Sequence, residues 1–264
     1  MTIATAQLAV GCVYGIFLWV APDARKAPQI SFSDFVKMIP AGVCSAGAHA
    51  ASVFSLAAGG VAFGQIVKAA EPAFAAVIGT VFYGKKISIY KWLCLIPIIG
   101  GVVLAALKQK KDGSFEMDFT MGGLIGALVA NAFAAFKGNE SKKLLETPGL
   151  KERIGGAGNQ FALMTIVSLL TSIPLMFLKE GPRLPEFLNK FQTDPLVWNN
   201  VILSGLTFYG YNELATMTLT KISAVSQSVA NTAKRVIVIV ACAIIFKEDF
   251  GGIKPYGCAI CIGK

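Results

Sequence analysis

The stretch VKAAEPAFAAVIGTVF, residues 67–82, decides the fold, because Lys68 and Glu71 begin a run that is otherwise almost wholly apolar. A second stretch, VANTAKRVIVIVACAIIF at 229–246, repeats this arrangement with an adjacent lysine and arginine. A charged side chain at the centre of a bilayer costs about 2.5 to 3.5 kcal/mol on insertion scales. Two apolar segments that both retain cations therefore predict a membrane protein that uses those cations.

The composition agrees with a membrane protein. Of the 264 residues, 55% are hydrophobic and only 15% are charged, and the mean hydropathy is +0.63, whereas soluble domains carry about 25% charged residues. The net charge is +9, and much of it lies in loops between apolar spans, where lysine and arginine face lipid headgroups. We found no DNA- or RNA-binding motif, so the sequence predicts a lipid bilayer as partner and no nucleic acid.

The cysteines and the single histidine do not predict a metal or redox centre. The chain has six cysteines, most of them within apolar runs. The CAIC stretch at 258–261 has neither a partner pair nor a nearby histidine. We therefore expect the cysteines to be small packing residues and expect no cofactor or metal.

A helix needs about 20 mostly apolar residues to cross a bilayer, and nine stretches qualify as candidates. These observations predict an all-α polytopic membrane protein. The last candidate is short, and the first is better described as a span than as a signal peptide. The candidates are 2–21, 35–58, 61–83, 88–107, 120–138, 158–178, 197–220, 223–246 and 252–264.

An internal repeat relates the two charged stretches. At an offset of 162 residues four spans match four others, and 120–138 keeps no partner, because its partner would precede residue 1. We therefore expect a ten-helix carrier of two inverted halves, five helices each, that form one integrated transmembrane domain. The halves are 1–118, without its first helix, and 119–264, without the end of its last. Inverted repeats with a site between them are a transporter architecture.

Three cations, Lys68, Lys234 and Arg235, are the main candidates for a binding site. Glu71 follows Lys68 by three residues and would share its helix face, and Glu213 is a second carboxylate that could offset the cations. The surplus positive charge suits an anion such as a phosphomonoester, which carries about −1.5 to −2 charges. Arginine can hold two of its oxygens, and lysine acts as a point charge. The alternative is a buried salt-bridge network that only fixes helix packing.

Further candidates are weaker, and each has a structural alternative. His49 and Tyr211 occupy equivalent repeat positions, and either could donate to a substrate or only bond between helices. Ser52 shares the helix face of His49, and Lys137 ends a span, where it could bind substrate or extend towards the headgroups. Pro72 predicts a kink that is either a gating hinge or a fixed bend. A small-residue face predicts close helix packing; its members are Gly122, Gly126, Ala130 and Ala134.

At these residues the chain resembles the plastid phosphate translocators of the drug/metabolite transporter superfamily, over essentially its whole length. Four motifs carry the resemblance: VKAAEP at 67–72, ANTAKRVIVIV at 230–240, YNE at 211–213 and GAHAASVFSLA at 47–57. Gly64 and Gln65 stand in place of a family Thr-His or similar pair. Ala230 replaces a glycine, and Glu213 stands where glutamine is more usual.

The resemblance implies ten helices in two inverted halves, in the plastid (chloroplast) inner envelope membrane. It also implies strict exchange of inorganic phosphate for a phosphorylated C3, C5 or C6 metabolite. Lys68, Lys234 and Arg235 would hold the phosphate group, with His49 and Tyr211 as helpers.

We therefore expect an antiporter that exchanges inorganic phosphate for triose phosphate or 3-phosphoglycerate by alternating access, and not an enzyme. Phosphoenolpyruvate, pentose phosphate, glucose 6-phosphate or a nucleotide sugar are alternative substrates. An enzyme acting on a lipid phosphate and a helical scaffold without a ligand are alternatives from other classes. The oligomeric state stays open between a monomer and a homodimer.

Overall fold

The computed structural model describes most of the chain, and the account below is confined to that part. The residues it describes are 1–59, 64, 67–97, 99–100, 107–109, 115–117, 120–223, 225–227, 229–231, 241 and 245.

The described elements are mostly α-helices. The described α-helices are α1 Thr2–Val20, α2 Phe32–Gly59, α3 Glu71–Val81, α4 Ile89–Leu93, α5 Met121–Glu146, α6 Leu150–Ile154, α7 Ala157–Glu180, α8 Leu184–Thr193 and α9 Pro195–Leu219. A 3₁₀ turn at Gly181–Arg183 joins α7 to α8. The strands are β1 Leu107–Gln109 and β2 Phe115–Met117.

The chain divides into two compact units, each made of two separate parts of the sequence. The first unit contains residues 1–50 and 140–223, and the second contains residues 51–139 and 224–264. The sequence-based boundary between residues 118 and 119 stays a prediction.

Several described helices are long and apolar enough to cross a bilayer. They are Thr2–Val20, Phe32–Gly59, Met121–Glu146 and the run Ala157–Thr193. The spans that these helices confirm are 2–21, 35–58, 120–138 and 158–178.

Helix α9 coincides in position with the predicted span 197–220. The structure describes 61–83 and 88–107 only in part. Of the last two spans, 223–246 lies largely and 252–264 entirely outside the described residues. The chain is therefore a helical membrane protein, and the ten-helix inverted repeat stays a prediction.

In the first unit, α1, α7 and α9 pack around the side chain of Tyr209, which is fully buried. Glycines on α1 make room for it: a Cβ atom on Gly11 would lie 3.0 Å from Tyr209 Cδ2, and one on Gly15 would lie 3.1 Å from its hydroxyl oxygen. Phe161 of α7 lies on another side of the ring, with the two centroids 5.1 Å apart. Small residues on one helix thus admit a large side chain from another.

Polar contacts surround Asp34 at the start of α2 in the first unit. Asp34, at the start of α2, is buried and accepts two hydrogen bonds from the guanidinium of Arg153, at 2.8 and 2.9 Å. The carboxylate of Asp34 raises the pKa of Arg153 above its ordinary value through these bonds. The hydroxyl of Ser31 accepts from the backbone N–H of Asp34, whose carboxylate accepts from the N–H of Ser31. This reciprocal pair caps α2 and fixes where the helix begins.

In the second unit, the first turns of α5 lie against the end of α2. A Cβ atom on Gly123 would lie only 2.7 Å from the Cα atom of Gly59, so the two backbones are in direct contact. The Ser55 hydroxyl donates to the Gly123 carbonyl at 2.8 Å, and the Thr120 hydroxyl donates to the Ala58 carbonyl at 2.7 Å. Small residues and hydroxyl bonds are the usual basis of helix association in membranes.

The structure contains a short antiparallel ribbon that the all-α prediction did not include. Strands β1 and β2 pair with Leu107 opposite Met117 and Gln109 opposite Phe115. The ribbon begins at the last residue of the fourth predicted span, 88–107, and otherwise lies between that span and the next, 120–138.

We predict that Gly126→Ala destabilises the protein although alanine is the better helix former. Its Cβ atom would lie 3.0 Å from the ring of Phe54 and 3.2 Å from the backbone of Ser55, which is an overpacking that costs about 1 to 3 kcal/mol. Thermal unfolding in detergent measures the effect. Gly122→Ala is the matched control, because its nearest neighbour would lie at 3.8 Å. Equal unfolding temperatures for the two variants would contradict this account of the packing.

Candidate functional site

The backbone around Lys68 is interrupted. Val67 and Lys68 are helical, Ala69 and Ala70 form a turn, and α3 begins at Glu71. Pro72 lies in the first turn of α3, where a helix needs no N–H donor. The kink predicted at Pro72 is therefore a break between two helical segments that precedes the proline.

The amine of Lys68 donates a hydrogen bond to the hydroxyl of Ser52, at 2.7 Å. Both side chains are half-buried in the second unit. The sequence had placed both residues in the site, but had related Ser52 to His49 and not to Lys68. The bond shows how an amine in an apolar unit is held: a hydroxyl on α2 accepts a hydrogen bond from it.

Glu71 interacts with another segment of the second unit. Its Oε1 accepts from the side-chain amide of Asn231, at 3.4 Å. Lys137 is half-buried on α5. The turn at Ala69–Ala70 removes the regular helical spacing that was expected to place Glu71 on the face of Lys68. Glu71 nevertheless belongs to a cluster of polar groups in this unit.

The candidates on α2 and α9 in the first unit have other neighbours. The His49 ring lies against Phe208, with the centroids 4.2 Å apart. Glu213 is buried and forms an ion pair with Arg25, from the loop after α1. Tyr211 is 38% exposed.

Sequence reasoning did not single out Arg25, because a cation in a loop gives no sign of the helix that it contacts. The structure thus supplies Glu213 with a partner outside the expected cation set. Its role as a charge partner of that set stays a prediction.

The remaining members of the predicted site lie beyond the described residues. These are Lys234 and Arg235, together with Gln65, where the family pattern differs. Ala230 is described as helical and exposed. The assignment of Lys234 and Arg235 to a phosphate group stays a prediction.

The sequence analysis missed one polar residue beside the break. Asn131 of α5 is fully buried, and its side-chain amide donates to the carbonyl of Val67 at 3.0 Å. The available signal was an amide side chain in the middle of the apolar span 120–138.

Residues 1–263 match the sequence model of the Triose-phosphate Transporter family, which is almost the whole chain. The match confirms the resemblance seen in the sequence motifs.

Relatives with different named substrates are similar to the chain at nearly equal levels. Phosphoenolpyruvate/phosphate translocator 3 of Oryza sativa subsp. japonica is 34% identical and glucose-6-phosphate/phosphate translocator 1 of Arabidopsis thaliana is 31% identical. The alignments cover 99% and 98% of this chain and 64% of each relative. The triose phosphate/phosphate translocator of Pisum sativum is 32% identical over 98% of this chain and 62% of its own length. The chain thus spans less than two thirds of these relatives.

We predict that Ser52→Ala weakens the apparent affinity for inorganic phosphate by about two- to tenfold. This range corresponds to the loss of a hydrogen bond worth about 0.5 to 1.5 kcal/mol, because Lys68 loses the acceptor that holds its amine. The measurement is the phosphate dependence of the unfolding temperature. Ser52→Thr, which keeps the hydroxyl, is the control and should retain the affinity. A wild-type affinity in Ser52→Ala would show that the bond has no part in binding.

Proposed function

Because the chain belongs to the Triose-phosphate Transporter family, we propose that it is a secondary antiporter that exchanges inorganic phosphate for a phosphorylated metabolite. The family name denotes transport, and this confirms at family level the prediction of a carrier in place of an enzyme. The chain spans only 64% of the length of the first two relatives. The activity of the whole protein is therefore part of what we propose.

One observation carries the proposal: the half-buried amine of Lys68 lies 2.7 Å from the hydroxyl of Ser52 in a membrane-embedded unit. Retention of a cation there costs free energy and needs a compensating role. A neutral hydroxyl can orient the ammonium group but cannot neutralise it. An anionic substrate can, and a phosphate group supplies both charge and several acceptor oxygens.

The roles of the other candidates follow from their chemistry. Lys234 and Arg235 would complete the cationic site, with arginine gripping two phosphate oxygens. Ser52 would orient Lys68, and His49 and Tyr211 would donate to the substrate. These last roles agree with the equivalent repeat positions of His49 and Tyr211.

Three further residues would act on the charge balance and on the movement of the backbone. Glu71 would moderate the positive charge when no substrate is bound, and Lys137 would add a further cation that can bind the substrate. Pro72, at the start of α3, would mark the break where the backbone can bend.

Charge balance also accounts for obligatory exchange. An empty site keeps a surplus of positive charge, and closing it away from water on both sides is costly. Bound phosphate neutralises the surplus charge and allows the site to close. Only the loaded carrier then passes readily through the closed state, so each outward step with one phosphate compound requires an inward step with another.

The organic substrate that we propose is a phosphorylated C3 compound, triose phosphate or 3-phosphoglycerate. Relatives named for triose phosphate support this choice, and so does the three-carbon skeleton that it shares with phosphoenolpyruvate. Phosphoenolpyruvate and glucose 6-phosphate, each in the name of a relative, and pentose phosphate or a nucleotide sugar are the alternatives. The names of these relatives call them chloroplastic, which supports the plastid inner envelope as the location. We leave monomer and homodimer open.

Uptake of labelled phosphate into proteoliposomes tests the function. We expect uptake when the vesicles contain unlabelled phosphate and almost none when they are empty. Competition should be strongest with triose phosphate or 3-phosphoglycerate among the organic phosphates. Equal uptake into both kinds of vesicle would contradict exchange, and chemical conversion of a labelled phosphate ester would instead favour an enzyme.

Single substitutions at the two predicted cations give a further prediction. Lys234→Gln and Arg235→Gln should each fold and insert normally but exchange phosphate at least about tenfold more slowly, because about 1.4 kcal/mol of lost interaction gives that factor. Exchange rates in proteoliposomes, normalised to inserted protein, measure the loss. Near-wild-type exchange by both variants would refute the cationic site.

A further inference from the structure

The carbonyl of Val67 belongs to the peptide bond that precedes Lys68. In a continuous α-helix this oxygen would accept from the N–H of residue 71. Here it accepts from the N–H of Ala70, at 3.1 Å, which closes a tighter turn. The same oxygen also accepts from the amide of Asn131, at 3.0 Å. A side chain from α5 thus bonds the backbone at the point where the helical segment ends.

The side-chain amide of Asn131 is costly to bury where it lies. Its side chain is fully buried, and a buried amide needs hydrogen bonds to offset its lost hydration. Its Nδ2 atom bonds a segment 64 residues away in the chain. Its Oδ1 atom has no hydrogen-bond partner among the described residues. A substitution that removes the amide therefore removes one known bond, the one to Val67.

Packing holds the two segments in this relation. Val67 is 2% exposed and clusters with Ala127 and Leu124 of α5. These residues precede Asn131 by one and two helical turns, so they lie on the same face of α5. The apolar contact brings α5 to the segment, and the amide sets how the backbone is oriented there.

We propose that Asn131 is a positioning residue for the Lys68 amine. The side chain of lysine is long and flexible, and its reach depends on the position of its Cα atom. Val67 contributes the peptide carbonyl that precedes Lys68, so the bond from Asn131 fixes the backbone from which the side chain extends. Ser52 holds the other end of that side chain at 2.7 Å. The two bonds together set where the ammonium group stands.

This inference rests on the proposed function, because it assigns Asn131 a role in the binding of phosphate through Lys68. If Asn131 only stabilised the fold, its loss would lower the unfolding temperature equally with and without phosphate. If it positions Lys68, its loss also reduces the shift in unfolding temperature that phosphate causes. The phosphate dependence therefore separates the two roles.

The experiment is a titration of the full chain with inorganic phosphate, followed by thermal unfolding. Asn131→Leu keeps a similar volume without the donor, and we expect its apparent dissociation constant for phosphate to rise about tenfold, or about 1.4 kcal/mol. Asn131→Ala adds no bulk and covers the case in which leucine prevents folding. Asn131→Gln retains an amide donor and should recover part of the affinity.

Asn139→Leu is the matched control. Asn139 is also a buried amide of α5, but its Nδ2 atom bonds the carbonyl of Ala135 in its own helix, and its Oδ1 atom accepts from Lys85. This variant should lower the unfolding temperature and leave the phosphate dependence unchanged.

Wild-type affinity in Asn131→Leu and Asn131→Ala would overturn the inference, and so would an equal loss of affinity in Asn139→Leu. If phosphate did not stabilise the wild-type chain and the chain did not exchange phosphate, the proposed function would be overturned instead.

Discussion

The strongest constraint on this chain is the positive charge of Lys68 in a membrane-embedded unit. The hydrogen bond from the Lys68 amine to the Ser52 hydroxyl helps to accommodate that charge. The apolar helices provide little that can solvate an ammonium group. The neighbourhood of Lys68 is accordingly polar in a part of the chain where polar groups are costly. Ser52 accepts a hydrogen bond from the amine, and Asn131 donates to the carbonyl of Val67, which precedes Lys68. Glu71 supplies a carboxylate three residues further along the chain.

The break before α3 gives that neighbourhood its shape. Pro72 cannot donate a backbone hydrogen bond, so a continuous helix through Lys68 would leave the Lys68 carbonyl without its usual donor. The chain instead ends one helical segment and begins another at Glu71. Non-helical backbone at membrane depth is tolerated where protein or water satisfies it. At Val67 the N–H of Ala70 and the side-chain amide of Asn131 do so, one residue from the charge that the function needs.

The long apolar helices and their polar breaks could be predicted from the sequence, because hydropathy over about 20 residues is a local property. Helix α1 ends one residue before the span predicted at 2–21 does. Helix α9 begins two residues before its predicted span, 197–220, and ends one residue before the end of that span. The turn at Ala69–Ala70 was harder to predict, because the sequence shows the proline but not the segment that packs beside the turn.

Partners from distant parts of the chain could not be predicted in this way. Arg25 contacts Glu213 across 188 residues, and Asn131 contacts Val67 across 64. Each depends on how helices pack, which periodicity alone does not specify. The Ser52–Lys68 bond lies between these cases: both residues carried a local signal, but their contact required the fold. Family membership came from short motifs whose chemistry is unusual for lipid-facing helices.

The most direct test of the account compares phosphate exchange by Lys68→Gln with exchange by Lys85→Gln in proteoliposomes. Lys85 belongs to the same unit, and its amine bonds the side chain of Asn139 at 3.0 Å. Both variants remove one positive charge, but only Lys68→Gln removes the amine held by Ser52. The account predicts that Lys68→Gln abolishes exchange and phosphate-induced stabilisation, while Lys85→Gln keeps both. Normal exchange by Lys68→Gln, or an equal loss in both variants, would contradict it.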